Sequence, residues 1–170
     1  MAIRILTVTV SDTRTPADDT SGAALVEAIR AYQPALDPRP GMELEHARHE
    51  IIPDDPERIR ALIQGVVATG EADVLVLSGG TGIGPRDSTY EAVRALLTKE
   101  LDGFGEAFRR LSWDDIGPRA VLSRATAGLV GRHVVFALPG STSAARLGIR
   151  ELVLPIVAHA VALARGDTRH

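Results

Sequence analysis

Three closely spaced glycines at residues 79–82 form the part of the sequence best suited to bind an anion. Glycine lets backbone amides approach a ligand without interference from a Cβ atom, and a helix beginning near Ser88 would add its own free amides. The run is not a Walker A loop, because Gly84 is followed by Pro85 rather than by Lys and Ser or Thr. Its spacing also differs from the Rossmann fingerprint. The alternative is a tight strand-to-helix turn that merely needs glycine.

Two aspartates near predicted strand ends could hold a cation or orient a nucleophile. Asp87 precedes the helix predicted to begin at Ser88, and it can either cap that helix or serve the anion site. Asp54 has the same two interpretations. Asp55 is the better N-cap before Pro56, which leaves Asp54 free to face the site. The residues alone leave these alternatives open.

Polar residues also follow the first and last predicted strands. Ser11 and Asp12 follow the first strand, and their type is equally typical of a plain strand-end turn. Pro139, Gly140 and Ser141 follow the last strand. They predict either a turn with Ser141 as the N-cap of the next helix, or further amides and a hydroxyl on a ligand.

Composition removes several classes of site. The chain has no cysteine, which excludes catalytic thiols, disulfides and cysteine-based zinc sites. Its one lysine, Lys99, lies in a polar stretch predicted to be helical, a poor setting for a Schiff base or a phosphate-binding lysine. His46 and His49 are three residues apart, which on a strand places them on opposite faces. We therefore do not expect them to share a metal.

Alternating strands and helices are predicted to position these groups. Short apolar runs predict strands at residues 3–10, 44–52, 74–77 and 132–138. Helical spacing and capping signals predict helices at residues 21–32, from Pro56, from a capping box at 88–91, within 102–124, and from Ser141 with a break near Pro155. Pro34, Pro38, Pro40 and Gly41 predict a loop. This order predicts an α/β fold with three layers, α-β-α, and a mostly parallel sheet. Ligands bind beyond the carboxyl ends of such strands, so the segments above should meet there.

Length and charge narrow the functional class. The 170 residues predict a single domain over residues 1–170. A net charge of −3 and dispersed basic residues argue against a nucleic acid or an anionic membrane as partner. The apolar run at residues 5–10 is too short for a signal peptide, and the uncharged run at 152–164 is shorter than the roughly 20 residues of a membrane span. We therefore expect a cytoplasmic protein.

Over essentially its whole length, the sequence resembles the MoaB/MogA family of molybdenum cofactor biosynthesis proteins. The core of the resemblance is Leu-Ser-Gly-Gly-Thr-Gly at 77–82 with Arg-Asp-Ser-Thr at 86–89. Supporting motifs lie at residues 18–22, 103–106, 108–109, 111–112, 123–125 and 138–142. The motifs at 18–22 and 139–142 look more like MoaB. One departure is Tyr90, where the family pattern commonly has proline, a difference that affects the loop before the helix.

The resemblance implies a molybdopterin-binding fold and a nucleotidyltransferase activity. ATP would adenylylate molybdopterin, the substrate, before molybdate insertion, and Mg²⁺ would bridge the ATP phosphates. The two functionally important aspartates of the family map onto Asp54 and Asp87, which we take as candidate catalytic residues and magnesium ligands. The expected substrate-binding residues are Ser11, Asp12, Gly79, Gly80, Thr81, Gly82, Ser88, Pro139, Gly140 and Ser141. The alternative is a non-catalytic molybdopterin-binding or carrier protein of the same pathway.

The resemblance also implies partners. The family usually forms a trimer, or a hexamer of two trimers. Phe104, Phe108 and Trp113 add weak support for an interface, because aromatic residues are enriched there. The chain lacks the additional domains of the insertase branch, so a separate molybdenum insertase is an expected partner.

Overall fold

The structure is a computed structural model that describes residues 2–32 and 43–167. The strands are β1 (Ala2–Val10), β2 (Glu43–Ile52), β3 (Val74–Ser78), β4 (Lys99–Glu100), β5 (Thr126–Val130) and β6 (His133–Leu138). The α-helices are α1 (Thr20–Ala31), α2 (Pro56–Thr69), α3 (Thr89–Arg94), α4 (Asp102–Ile116), α5 (Thr142–Gly148) and α6 (Leu154–Ala164). A 3₁₀ helix covers Gly117–Leu122, and a π-helical segment covers Ile149–Val153. The predicted loop containing Pro34, Pro38, Pro40 and Gly41 lies outside the described residues.

One six-stranded sheet has the order β2-β1-β3-β6-β5-β4. The first four strands in that order run parallel, while β5 is antiparallel to both β6 and β4. This confirms the predicted mostly parallel α/β sheet and adds two strands that the sequence pattern missed. Lys99 lies in β4 and not in a helix as predicted, because α3 ends earlier, at Arg94.

Helices cover both faces of the sheet and bury two apolar clusters. In β3, Val74 and Val76 face the cluster under α1, α4, α5 and α6, whereas Leu75 and Leu77 face the cluster under α2 and α3. Alternate residues of a strand point to opposite faces, so a strand buried on both sides must be apolar throughout. That requirement explains the continuous apolar run of β3 and confirms the three layers.

A bulge in the edge strand β2 overturns the prediction for the two histidines. Ile5 pairs with His46 and Leu6 pairs with Arg48, so Ala47 is an extra residue. An inserted residue reverses the alternation of the strand beyond it, which places His46 and His49 on the same face. Thr7 Oγ1 lies 3.0 Å from His46 Nε2 and 2.8 Å from His49 Nδ1. The expectation of opposite faces was therefore wrong.

The two histidines belong to a hydrogen-bonded chain that ends at Asp19. His49 Nε2 lies 2.8 Å from Asp19 Oδ2, and Asp19 caps α1 by accepting a bond from the N–H of Gly22. Burial raises the pKa of Asp19, but the hydrogen bonds from Gly22 and His49 outweigh burial and leave that pKa below its usual value. Burial lowers the pKa of His46, and the charges of Arg30 and His49 lower it further. The arrangement therefore favours an ionised Asp19 and a neutral His46.

The predicted break near Pro155 does not occur, because the C-terminal helical stretch is continuous. The π-helical segment joins α5 to α6 immediately before Pro155, at the position where a missing backbone N–H interrupts regular α-helical bonding. By length and apolar composition, Thr142–Ala164 could cross a membrane. It has the burial of a core helix, because Ile149, Val157 and Val161 are fully buried against the sheet.

Candidate functional site

The carboxyl ends of the parallel strands surround one cavity of about 610 Å³. Residues that follow β1, β2, β3 and β6 all line it, as expected for the ligand-binding edge of a parallel sheet. The predicted site residues found in its lining are Ser11, Asp12, Asp54, Gly79, Gly80, Thr81, Gly82, Asp87, Pro139, Gly140 and Ser141. The structure thus brings together the segments that the sequence predicted to meet.

Two glycines at the end of β3 have backbones that a side chain would obstruct. Gly79 has φ +115°, and a Cβ atom there would collide with the carbonyl oxygen of Val10. Gly80 has φ +62°, and a Cβ atom would collide with Asp54 Oδ2 and Thr89 Oγ1. Both φ values lie where residues with a side chain are strained. The glycine run therefore lets the loop pass close to β1 and Asp54.

Asp54 is half-buried and joins the ends of β1 and β2 to the start of α3. Its backbone N–H donates to Asp12 Oδ1 at 3.1 Å. Its Oδ1 accepts two bonds from Ser88, at 3.1 Å from the backbone N–H and 2.6 Å from the hydroxyl. Asp55 is the N-cap of α2, where it accepts from the N–H of Arg58 at 2.8 Å. The prediction that Asp55 would cap the helix is confirmed, and Asp54 lies in the cavity lining.

Asp87 closes the turn at the end of the glycine loop and does not cap α3. Its Oδ2 accepts from the N–H of Gly84 at 2.7 Å, and its own N–H donates to the carbonyl of Gly84 at 3.0 Å. The carboxylate lies across the loop from Gly82, where a Cβ atom would be 2.7 Å from Oδ2. Asp87 is therefore a half-buried carboxylate on the cavity wall, held by one backbone amide.

The predicted capping box at residues 88–91 does not form. Ser88 occupies the N-cap position of α3, but its hydroxyl donates to Asp54 instead of accepting from the helix. Glu91 pairs with Arg124, and the hydrogen bond from that guanidinium holds the pKa of Glu91 below its usual value. Ser88 supports Asp54 and is not itself in the cavity lining.

The other predicted residues combine turn geometry with access to the cavity. Ser11 Oγ accepts from the N–H groups of Thr13 and Arg14, at 3.2 and 3.1 Å. Ser141 caps α5 by accepting from the N–H of Ala144 at 3.2 Å. Ser11 and Ser141 therefore form the turn and the helix cap that the sequence offered as alternatives, and both residues also line the cavity.

Sequence reasoning missed the positive charges and one wall of the cavity. Three arginines line it, Arg14, Arg86 and Arg119, and Arg86 Nη2 lies 2.7 Å from Asp12 Oδ2. A further wall comes from α4 and the 3₁₀ helix; its members are Phe108, Ser112, Ile116, Arg119, Leu122 and Ser123. For these arginines and wall residues, the only local sequence signal was the position of Arg86 beside Asp87. The α4 wall reaches the cavity through packing of Phe104 and Phe108 in the core.

The cavity suits a magnesium ion that arrives with a phosphate ligand. Asp54 and Asp87 supply carboxylate oxygens, the donors that Mg²⁺ prefers, and Mg²⁺ commonly uses only one or two carboxylates besides waters and substrate phosphates. Within residues 2–32 and 43–167, no group of three or more His, Cys, Asp or Glu side chains forms a metal site. Asp54 and Asp87 therefore fit an ion that is also coordinated by waters and a ligand's phosphates better than an ion held by protein side chains alone.

Comparison with known proteins agrees with the fold. Residues 6–159 match the family model described as "Probable molybdopterin binding domain". The chain is 44% identical over 160 residues to molybdenum cofactor biosynthesis protein B of Bacillus cereus, covering 92% of this chain and 88% of that protein.

Two solved structures extend the match to the whole fold. A crystal structure of molybdenum cofactor biosynthesis protein B superposes with a TM-score of 0.85 at 41% identity, covering 98% of both chains. The tungsten cofactor synthesizing protein MoaB from Pyrococcus furiosus gives a TM-score of 0.81 at 36% identity, covering 96% of this chain and 98% of that one. The chain belongs to the MoaB/MogA family of molybdenum cofactor biosynthesis proteins, with the molybdopterin-binding fold.

Proposed function

We propose that the protein transfers AMP from ATP to molybdopterin. The observation that carries the proposal is the convergence of two half-buried carboxylates, Asp54 and Asp87, with the glycine loop on one cavity. Names of relatives support the pathway, the family resemblance implies the reaction class, and the groups that line the cavity are compatible with it. Carboxylates for a metal–phosphate complex, free backbone amides and arginines are the groups that phosphoryl transfer requires.

The reaction needs positioning more than covalent catalysis. An oxygen of the terminal phosphate of molybdopterin attacks the α-phosphorus of ATP, the bond to the β-phosphate oxygen breaks, and pyrophosphate leaves. Amides of the glycine loop beyond Gly79 would hold phosphate oxygens near the end of β3, because the N–H of Gly79 itself donates to the carbonyl of Leu138 at 3.0 Å. Arg14 and Arg86, which line the same cleft, would offset part of the phosphate charge.

Asp54 and Asp87 would hold the magnesium ion that accompanies ATP. When bound, Mg²⁺ neutralises charge that builds up on the leaving pyrophosphate. Ser88 fixes one oxygen of Asp54 through two hydrogen bonds, so the other oxygen, Oδ2, remains for the ion. Gly84 similarly fixes Oδ2 of Asp87 and leaves Oδ1. Each carboxylate is thus oriented by a neighbour while keeping one oxygen for the ligand.

A direct assay tests the proposal. Purified protein is incubated with molybdopterin, ATP and Mg²⁺, and the adenylylated product and pyrophosphate are measured. We expect both products in equal amounts, and no product when Mg²⁺ is chelated. Binding of molybdopterin without turnover would contradict the transferase proposal.

The second candidate is a non-catalytic molybdopterin-binding or carrier protein. The observation in its favour is that both carboxylates already have structural bonds, Asp54 to Ser88 and Asp87 to Gly84. A carrier would bind molybdopterin in the cavity without needing ATP. Calorimetry with each ligand separates the two functions, because only the transferase requires a site for ATP.

We propose that the protein acts as a trimer or hexamer and passes its product to a separate insertase in the cytoplasm. Of the three aromatic residues considered for an interface, Phe104 and Phe108 are buried in the chain's own core. Trp113 is 51% exposed, with Val121 and Leu122 also exposed on the adjoining 3₁₀ helix. Trp113 is thus the one aromatic residue of the three that remains available to support an interface.

A further inference from the structure

Arg124 holds the glycine loop from outside the cavity. It lies just before β5 and is absent from the cavity lining. Its Nε donates to the carbonyl oxygen of Thr81 at 3.1 Å, and its Nη2 donates to the carbonyl oxygen of Gly82. A single guanidinium therefore binds two successive carbonyls of the loop.

The guanidinium is itself fixed by α3. Both Nη atoms of Arg124 contact the carboxylate of Glu91. The Arg124 guanidinium carbon lies 4.7 Å from the centre of the Tyr90 ring, within the range of a cation–π contact. A planar fork that donates along its edge and stacks on its face is a property of arginine that lysine lacks.

These bonds determine where the loop amides point. In a trans peptide the N–H is directed opposite to the preceding C=O, and the described residues contain no cis peptide. The carbonyl of Gly80 is bound by the N–H of Thr89 at 2.9 Å, so the carbonyls of residues 80, 81 and 82 are all occupied. The N–H groups of residues 81, 82 and 83 are therefore directed away from these partners.

Nothing in the part of the chain that the structure describes accepts a hydrogen bond from these three amides. Across residues 2–32 and 43–167, the N–H groups of Thr81, Gly82 and Ile83 have no intramolecular acceptor. Thr81 and Gly82 line the cavity. Successive free amides with a common direction form a concavity that binds anions, and their cost when unpaired is relieved by a ligand.

We propose that Arg124, supported by Tyr90 and Glu91, is a positioning residue that aims the amides of Thr81, Gly82 and Ile83 at the phosphates of the nucleotide. The inference rests on the function proposed above, because it assigns a phosphate ligand to the same cavity. Arg124 acts through the backbone and does not touch the substrate.

Binding of inorganic pyrophosphate and of ATP, each with Mg²⁺, tests the inference by calorimetry. In Arg124→Gln, loss of the charged hydrogen bonds to the loop should weaken pyrophosphate binding about tenfold or more. Arg124→Lys keeps the charge but cannot hold both carbonyls in the same fork, so it should recover only part of the affinity. Arg94→Gln is the matched control. Arg94 also reaches Tyr90, at 5.8 Å from its ring centre, but it pairs with Glu100 and binds no loop carbonyl.

Turnover kinetics and thermal unfolding separate positioning from a merely structural role. Because the amides hold phosphate before and during transfer, Arg124→Gln should raise the KM for ATP and leave kcat within a few-fold of wild type. A lower Tm with unchanged pyrophosphate affinity would overturn the inference. So would a loss confined to kcat, or an equal loss of affinity in Arg94→Gln.

The same experiment distinguishes failure of the inference from failure of the proposed function. Wild-type protein that binds pyrophosphate in an Arg124-dependent way without adenylylating molybdopterin would support the inference and contradict the transferase. Wild-type protein that adenylylates molybdopterin with no dependence on Arg124 would support the transferase and contradict the inference. Wild-type protein that binds neither probe would contradict both. If Arg124→Gln does not fold, Tyr90→Leu should still lower pyrophosphate affinity, because it removes the surface on which Arg124 stacks. It also removes the hydroxyl that accepts from Arg94 Nη1 at 3.2 Å, a contact that the Arg94→Gln control tests separately. Unchanged affinity in Tyr90→Leu would overturn the inference.

Discussion

Replacing Asp87 with Asn separates the structural and chemical roles of its carboxylate. Asp87 Oδ2 accepts from the N–H of Gly84 at 2.7 Å, while Oδ1 has no hydrogen-bond partner among the described residues. Asn can keep the first bond through its amide oxygen and places a neutral NH₂ group where Oδ1 stood. A hydrogen bond to a charged acceptor stabilises by about 1 kcal/mol more than a neutral one. We therefore expect the free energy of unfolding to fall by about 1 kcal/mol, or about 2–4 °C in Tm.

Activity should fall much further than stability. Without the negative Oδ1, the cavity loses one of two carboxylates available to the magnesium–nucleotide complex. Removing one such electrostatic group commonly costs about a hundredfold in rate, equivalent to about 2.7 kcal/mol. We expect that loss in kcat/KM, measured by formation of adenylylated molybdopterin at saturating Mg²⁺.

Asp55→Asn is the matched control for this prediction. Asp55 lies next to Asp54 but caps α2 and is absent from the cavity lining. Because Asn is also a good N-cap, Asp55→Asn should lower the free energy of unfolding by no more than about 1 kcal/mol. It should keep kcat/KM within about twofold, because Asp55 lies outside the cavity lining. If Asp87→Asn behaves like Asp55→Asn in both measurements, Asp87 is only a residue of the turn.

Three further predictions concern the fold, pH and assembly. Gly79→Ala should lower the free energy of unfolding by about 3 kcal/mol in a denaturant titration, because Gly79 has φ +115° and faces the carbonyl of Val10. Gly65 on α2 is the control, because a Cβ atom there meets nothing within 4 Å. Gly65→Ala should raise the free energy of unfolding by about 0.5–1 kcal/mol in the same titration. His46 has a pKa lowered by burial, so its contribution to stability should be complete above about pH 6.5 and should decline as the pH falls toward the folded-state pKa. The Tm of wild type should then decrease more than that of His46→Gln between about pH 8 and about pH 5, and equal decreases would show that this histidine does not couple to folding. Light scattering should give a mass near three or six times the 18.1 kDa of one chain; a mass of one chain would contradict assembly, and an assembled Trp113→Ala variant would exclude Trp113 as an essential contact.

The parallel half of the fold, and the polar residues at the edge where its strands end, could be predicted from the sequence alone. Short apolar runs predicted β1, β2, β3 and β6. In β3 and β6 the run is continuous because helices cover both faces of the sheet. The polar residues after those strands were then placed together by a general property of parallel sheets. Because proline is favoured in the first turn of a helix, Pro56 also predicted that Asp55 would cap α2 and that Asp54 would face the cavity instead.

Features that depend on contacts between distant residues could not be predicted from the local sequence. Strands β4 and β5 are two and five residues long, and they form because β5 pairs with β6 and β4 pairs with β5, so their local pattern is weak. The bulge at Ala47 arises from the register against β1, and it reverses the face on which His49 lies.

The same reason explains the missed parts of the site. Glu91 follows Ser88 at capping-box spacing, yet its carboxylate pairs with Arg124, 33 residues further along the chain. The α4 wall reaches the cavity because Phe108 packs in the core. Local sequence encodes periodicity and turn chemistry, whereas the contacts that complete the cavity form only when separate elements pack against one sheet.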